Sequence, residues 1–109
     1  MKFSFKSISA AIQVAAVFNE MYRGTPLTIK ALSDETGLSV SYLEQMFSRF
    51  RTSGIVRSVR GLGGGYHLEK RDLTVSDVIR SVSAGKIDFL EPVFVALENV
   101  KISEIKAVV

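Results

Sequence analysis

Apolar residues in the first half of the chain recur at the three- and four-residue spacing of amphipathic helices. The first helix is predicted to run from about Ser4 to Tyr22 and to end before Gly24. A second, short helix is predicted to follow the capping residue Thr28 and to end at Gly37, where glycine suits a left-handed terminus. The apolar spacing of the first helix rests on Phe5, Ile8, Ile12, Ala15 and Ala16.

A third helix is predicted directly after the tight turn Gly37-Leu38-Ser39. Either Ser39 caps it, or Ser41 does so with Glu44 in a capping-box arrangement. Its apolar positions are expected to face the core, and they are Val40, Leu43, Met46, Phe47 and Phe50. The opposite face is expected to display Ser41, Tyr42, Glu44, Gln45, Ser48, Arg49 and Arg51.

A β-hairpin is predicted after this helix. A strand begins at Ile55, Val56 and Val59, and Arg57 and Arg60 project from it. The chain then reverses through Gly61-Leu62-Gly63-Gly64-Gly65 before Tyr66, His67 and Leu68 return. Glycines permit positive φ angles and let such a tip approach another backbone closely.

A phosphate-binding nucleotide loop is the alternative interpretation of the glycines. Such a loop should open into a helix, whereas a strand follows here, and Tyr66 occupies the place of the last fingerprint glycine. A polar-faced helix followed by a basic hairpin instead predicts a winged helix-turn-helix, a mostly α fold with a small β-hairpin wing (α+β).

The last third of the chain is predicted to form two more helices. Thr74 and Asp77 cap the first of them, which is expected to end at Gly85, and Pro92 suits the first turn of the second. The second helix is apolar around more than one stripe, so either its own domain wraps both sides or a second subunit covers it. We favour a second subunit, because winged-helix dimers place two recognition helices roughly 34 Å apart on DNA.

Positive charge is concentrated where the helix and hairpin are predicted. The 109-residue chain has 14 basic and 11 acidic residues, and 47% of it is hydrophobic, which suffices for one domain with a core. From Ser39 to Arg71 there are six basic and two acidic residues, an excess of four, which leaves eight basic and nine acidic elsewhere, a net of minus one. Such a local field attracts a polyanion.

The sequence argues against enzymatic and metal chemistry. It contains no cysteine and one histidine, His67, which we expect at the surface or against backbone rather than in catalysis. No cofactor is predicted. Lys2 and Lys6 precede an apolar run, but polar residues interrupt it and no cleavage site follows, so a signal peptide is not expected. A cytoplasmic protein without a membrane span is predicted.

The outer face of the third helix is therefore the predicted DNA-binding surface. Its first turn would present Ser41, Tyr42, Glu44 and Gln45 to base edges, because recognition helices enter the groove N-terminal end first. Gln45 can pair with adenine, and Glu44 can accept a hydrogen bond from cytosine and discriminate against other bases. Arg49, Arg51, Arg57 and Arg60 are expected to neutralise phosphates.

The run LSVSYLEQMFSRFRTSGIVRSVRGLGGGYHL resembles the bacterial winged-helix regulator family that includes IscR, NsrR and CymR. Less close similarity extends from about Thr28 to Val82, and ENVKISEI is similar to the terminal signature of that family. The resemblance implies a homodimeric transcription regulator, typically a repressor, that binds double-stranded DNA at a palindromic operator. Thr28 joins the DNA-binding candidates. The residues that match family positions are Ser39, Ser41, Tyr42 and Glu44 in the recognition helix and Arg60, Gly61, Gly63, Gly64 and Gly65 in the wing.

The chain departs from this family at three places. The cysteines that hold an iron-sulfur cluster in several members are missing, so a cluster-free regulator is expected. The segment from Ser83 to Val93 reads as shortened, which predicts a winged-helix domain over residues 1–85 and a reduced dimerisation segment over 86–109. Ile8 and Ser9 stand where the family has a basic residue and a tyrosine near the DNA. The alternative function is a winged-helix protein-interaction module that modulates related regulators, and any small-molecule effector is left open.

Overall fold

The computed structural model describes residues 4–61, 64–83 and 91–106. Within these ranges the chain forms five α-helices, one two-stranded antiparallel sheet and a short 3-10 helix. This matches the predicted fold class. The elements in chain order are α1 (Phe5–Met21), α2 (Ile29–Thr36), α3 (Val40–Thr52), β1 (Val56–Val59), β2 (Gly65–Leu68), α4 (Val75–Ser83), α5 (Glu91–Leu97) and the 3-10 helix Ile102–Glu104.

Side-chain caps begin the helices where the sequence placed them. The Thr28 hydroxyl accepts a hydrogen bond from the Ala31 amide at 3.0 Å, and Gly37 ends α2 at a φ of 76°. The Ser39 hydroxyl accepts from the Tyr42 amide at 3.1 Å, so Ser39, not Ser41, caps α3. Each such bond satisfies one of the free amides of a first helical turn.

The core lies where α1, α3 and α4 meet. Ala11, Ala15 and Ala16 are buried on α1 and let neighbouring helices approach closely. From α3, the ring of Phe47 is fully buried and lies 5.5 Å from the ring of Phe18, centroid to centroid. The inner face of α3 is thus anchored by large apolar side chains.

The hairpin is paired on both sides of β2. Val56 lies opposite Leu68, and Val59 lies opposite Gly65. On its other edge, the Tyr66 amide donates to the Leu27 carbonyl at 2.8 Å, and the Leu27 amide donates to the Tyr66 carbonyl at 3.0 Å. The segment before α2 therefore fixes the hairpin relative to the helix-turn-helix.

The described part of the C-terminal segment packs onto the same core. Thr74 and Asp77 exchange capping hydrogen bonds at 2.9 and 3.1 Å, as predicted for α4. Ile102 is buried, and its amide donates to the Leu73 carbonyl at 2.7 Å. Phe94 of α5 is buried as well. The predicted end of α4 at Gly85 lies outside the described residues.

None of the described helices is long and apolar enough to span a membrane.

Candidate nucleic-acid interface

The outer face of α3 is open to solvent, as predicted. Polar side chains line a shallow open cleft along it, and the exposed N-terminal half carries carboxylate, amide and hydroxyl groups together. Hydrogen-bond donors and acceptors of this kind match the edges of base pairs in a major groove. The residues that line the cleft are Ser41, Glu44, Gln45, Ser48 and Arg49.

One apolar position of α3, Val40, was wrongly assigned to the core, and Phe5, which set part of the apolar spacing of α1, is exposed as well. Val40 is 41% exposed at the first position of α3. Phe5 is 86% exposed at the first position of α1. Periodicity assumes that the core runs along the whole helix, and both residues lie at the very beginning of one.

Tyr42 lies at the edge of the outward face rather than on it. Its ring is half-buried and packs partly against the core, next to the turn that contains Leu38. A cavity of about 490 Å³ separates this turn from the start of α1, and Lys6 lines it from the α1 side. No local pattern predicts that Lys6 lies near the start of α3, because the closeness of the two helix starts is a property of the fold.

Three arginines of the candidate interface have no ion-pair partner among the described residues. Arg49, Arg51 and Arg60 form no ion pair with any residue that the structure describes. Basic residues elsewhere are often paired, as Lys30 is with Asp34 at 2.6 Å. Unpaired cations on one surface keep their positive potential available for a polyanion.

Arg57 differs from the other predicted phosphate contacts. Its Nε donates to Glu69 Oε1 at 2.6 Å, across the open end of the hairpin. Both side chains are about half exposed, so the pair is partly screened by water. Arg57 projects outward as predicted, but Glu69 offsets part of its charge.

The backbone geometry of the wing explains why glycine occupies several of its positions. A Cβ on Gly64 would lie 2.7 Å from the Val59 carbonyl oxygen, and a Cβ on Gly65 would lie 2.3 Å from the Leu27 carbonyl oxygen. Gly61 has a φ of 97° with open space around it. Thr28 is brought beside the hairpin by the same packing, since its amide nitrogen lies 3.0 Å from that Gly65 Cβ position. Gly63 lies outside the described residues.

His67 is held by another side chain rather than by backbone. The Tyr22 hydroxyl and His67 Nδ1 are 2.7 Å apart, which joins the end of α1 to β2. The two rings also meet edge to face at 5.9 Å. This contact stabilises the hairpin, and sequence alone could not pair residues so far apart.

Comparison with known proteins gives a family match over nearly the whole chain. The model of the family described as Rrf2, iron-dependent transcriptional regulator, matches residues 6–107. The transcriptional regulator IscR of Vibrio atlanticus is 48% identical over 60 residues, which is 53% of this chain and 35% of that protein. The chain thus spans about a third of the length of the curated relatives it matches.

Solved structures share the fold along almost the entire chain. T. potens IscR superposes with a TM-score of 0.72 at 26% identity and covers 95% of this chain and 85% of its own. The B. subtilis cysteine regulator CymR superposes with a TM-score of 0.74 at 23% identity and covers 95% of both chains. The helices and hairpin therefore have the arrangement found in these regulators.

Proposed function

Because this chain belongs to the Rrf2 family of transcriptional regulators, we propose that it binds double-stranded DNA in the cytoplasm and regulates transcription. In this proposal α3 enters the major groove N-terminal end first, and the hairpin contacts the backbone beside it. The pairing of β2 with Leu27 supports the proposal, since it holds the wing at a fixed position relative to α3.

One observation carries the proposal most directly. Arg49 and Arg51 belong to α3 and Arg60 directly follows β1, and all three are unpaired among the described residues. Phosphate contacts from arginine supply most of the salt-dependent affinity for DNA. The three arginines on α3 and beside the hairpin supply the positive charge that a phosphate backbone would contact.

Base preference would come from the first two turns of α3. Gln45 can donate to and accept from adenine, Glu44 can accept from the cytosine amino group, and Ser41 can do either. All three side chains are exposed. A carboxylate this close to phosphates lowers affinity, so Glu44 would act by excluding wrong sequences.

We propose that the regulator is a homodimer that represses from a palindromic operator. Val93 and Val95 are 49% and 53% exposed on either side of the buried Phe94, so α5 is not wrapped by the described residues of its own chain. Arg80 holds α5 onto α4 through two hydrogen bonds to Glu91, at 3.0 and 2.7 Å. Those bonds raise the pKa of Arg80, whose charge is thus retained at any ordinary pH. A second copy packed on α5 would bury the two valines.

The residues of this chain do not fit an iron-sulfur cluster. The sequence contains no cysteine, and thiolates are the ligands that such clusters require. His67 is engaged by Tyr22, and no group of three or more potential metal-binding side chains occurs in the part that the structure describes. We therefore propose a member of the family that regulates without a cluster.

Selection of bound sequences from a random duplex pool tests the whole proposal. A homodimer should return an inverted repeat whose half-sites lie about one helical turn apart. Fluorescence anisotropy should then give tighter binding to the selected duplex than to a scrambled one. Equal binding of both duplexes at every salt concentration would argue instead for a module that contacts proteins.

The Arg60→Ala variant is expected to bind all duplexes more weakly. Removing one phosphate contact should lower the slope of log affinity against log salt by about one unit without changing base preference. Anisotropy titrations between low and moderate salt measure this slope. Lys101→Ala is the matched control, because Lys101 is paired with Asp72 at 3.5 Å and lies outside α3 and the hairpin. An unchanged slope for Arg60→Ala would remove the wing from the interface.

The Glu44→Ala variant is expected to lose base selectivity while keeping or gaining affinity. Loss of the acceptor should cut the preference at one base pair of each half-site by about tenfold or more, since a good side-chain contact discriminates by about 1–3 kcal/mol. Repeating the duplex selection with the variant measures this change. Glu20→Ala on the exposed surface of α1 removes the same charge and should leave the preference intact. Full selectivity in Glu44→Ala would exclude Glu44 from base contact.

A further inference from the structure

We infer that Val40 determines part of the base preference by packing against the methyl group of a thymine in the major groove. The inference rests on the proposed DNA-binding function and adds an apolar contact to its polar ones. Val40 was expected in the core and makes none of the polar or phosphate contacts of the proposed function.

The burial of Val40 differs from that of its apolar neighbours. Leu38 and Tyr42, on either side of it in sequence, pack partly against the core, and Leu43 is fully buried. Val40 is 41% exposed at the first position of α3. Few large apolar side chains are exposed to this degree among the described residues; the others are Phe5, Val93 and Val95.

The position of Val40 matches the end of the helix that enters the groove. Ser39 caps α3, so Val40 belongs to the first turn, which reaches deepest between the DNA strands in this docking geometry. Glu44 lies one turn further on the same side of the helix, and Ser41 is adjacent. Val40 is therefore next to Ser41 and one turn before Glu44, two of the residues that line the cleft.

Double-stranded DNA offers one apolar group to such a side chain. The thymine C5-methyl projects into the major groove, and small apolar side chains recognise it there. A protein partner would fit this site less well, because the surface around Val40 is polar and exposed at Ser39, Ser41 and Glu44. The chemistry of the surroundings thus favours a base pair over an apolar protein surface.

Replacement of thymine by deoxyuridine tests the inference, since it removes the methyl group and changes nothing else in the base pair. Each thymine of the selected operator is replaced in turn, and affinities of the wild type and of Val40→Ala are measured by anisotropy. For the wild type, replacement at one thymine position per half-site should lower the affinity about threefold to tenfold. This is the expected effect of losing a buried methyl contact. Val40→Ala should bind both duplexes equally at that position.

Phe5→Ala is the matched control, because it removes an exposed apolar side chain from another element. It should retain the full deoxyuridine effect. The inference is overturned if no thymine position affects the wild type, or if Val40→Ala keeps the same sensitivity. Failure of the wild type to prefer the selected operator over scrambled DNA would overturn the proposed function, and the inference with it.

Discussion

The Phe47→Ala variant is expected to lose about 3 to 5 kcal/mol of its free energy of unfolding. Phe47 is fully buried, and its ring centroid lies 5.1 Å from that of Phe50 and 4.9 Å from that of Tyr66. Alanine would leave a cavity at the point where α1, α3 and β2 meet. These elements could fill it only by shifting, which would break their capping and strand-pairing hydrogen bonds. For a domain of ordinary stability, about 5 to 15 kcal/mol, this loss is a large share.

Urea denaturation followed by circular dichroism measures this loss. Both variants and the wild type are compared at one protein concentration, since self-association would shift the transition. Phe5→Ala makes the same chemical change at an 86% exposed position and should change stability by no more than about 0.5 kcal/mol. If Phe47→Ala unfolds at nearly the same urea concentration as Phe5→Ala, then α3 is not anchored to the hairpin as described.

Local signals in the sequence were sufficient to predict the helices and the hairpin. Thr28, Ser39 and Thr74 are capping residues whose partners lie three positions away, so the chain itself contains both halves of each signal. Gly37 likewise marks a left-handed terminus without reference to the rest of the fold. The helix starts predicted at these capping residues were confirmed for this reason.

Contacts between distant residues could not be predicted. The pairing of Leu27 with Tyr66 and the hydrogen bond between Tyr22 and His67 join residues about 40 positions apart. The ion pair of Arg57 with Glu69 depends on the strand register, which the sequence did not specify. As a result, the sequence grouped Arg57 with Arg60 although only Arg60 is free of an acidic partner among the described residues.

The exposure of Val40 illustrates a limit of periodicity. The spacing from Val40 to Leu43 and Phe47 fits one helical face, and two of the three are buried. Which turns of a helix are covered depends on where its neighbours end, and this is set by tertiary packing. The sequence therefore predicted that Ser41, Glu44 and Gln45 are exposed and did not predict that Val40 is exposed beside them.

The Gly65→Ala variant is expected to lose about 3 kcal/mol of stability and most of the ordered wing. Gly65 has a φ of 142°, and an added Cβ would lie 2.3 Å from the Leu27 carbonyl oxygen and 2.6 Å from its carbonyl carbon. Both contacts are with backbone, so no side chain can rotate away. The clash is relieved only if β2 moves away from Leu27, and this movement breaks the two hydrogen bonds that Leu27 exchanges with Tyr66. Each of the two lost hydrogen bonds costs about 1 kcal/mol, and the strained φ costs about 1 kcal/mol more.

Gly61→Ala separates the steric clash from the backbone strain. Gly61 also has a positive φ, 97°, but an added Cβ there meets no atom within 4 Å. Gly61→Ala should therefore lose only about 1 to 2 kcal/mol of its free energy of unfolding, the cost of a left-handed conformation for alanine.

Because the clash moves the wing, Gly65→Ala should also bind DNA more weakly than its folded fraction explains, with the salt slope reduced as in Arg60→Ala. Equal stability of the two alanine variants would mean that Leu27 does not hold β2, and the wing would then have no fixed position from which to contact DNA.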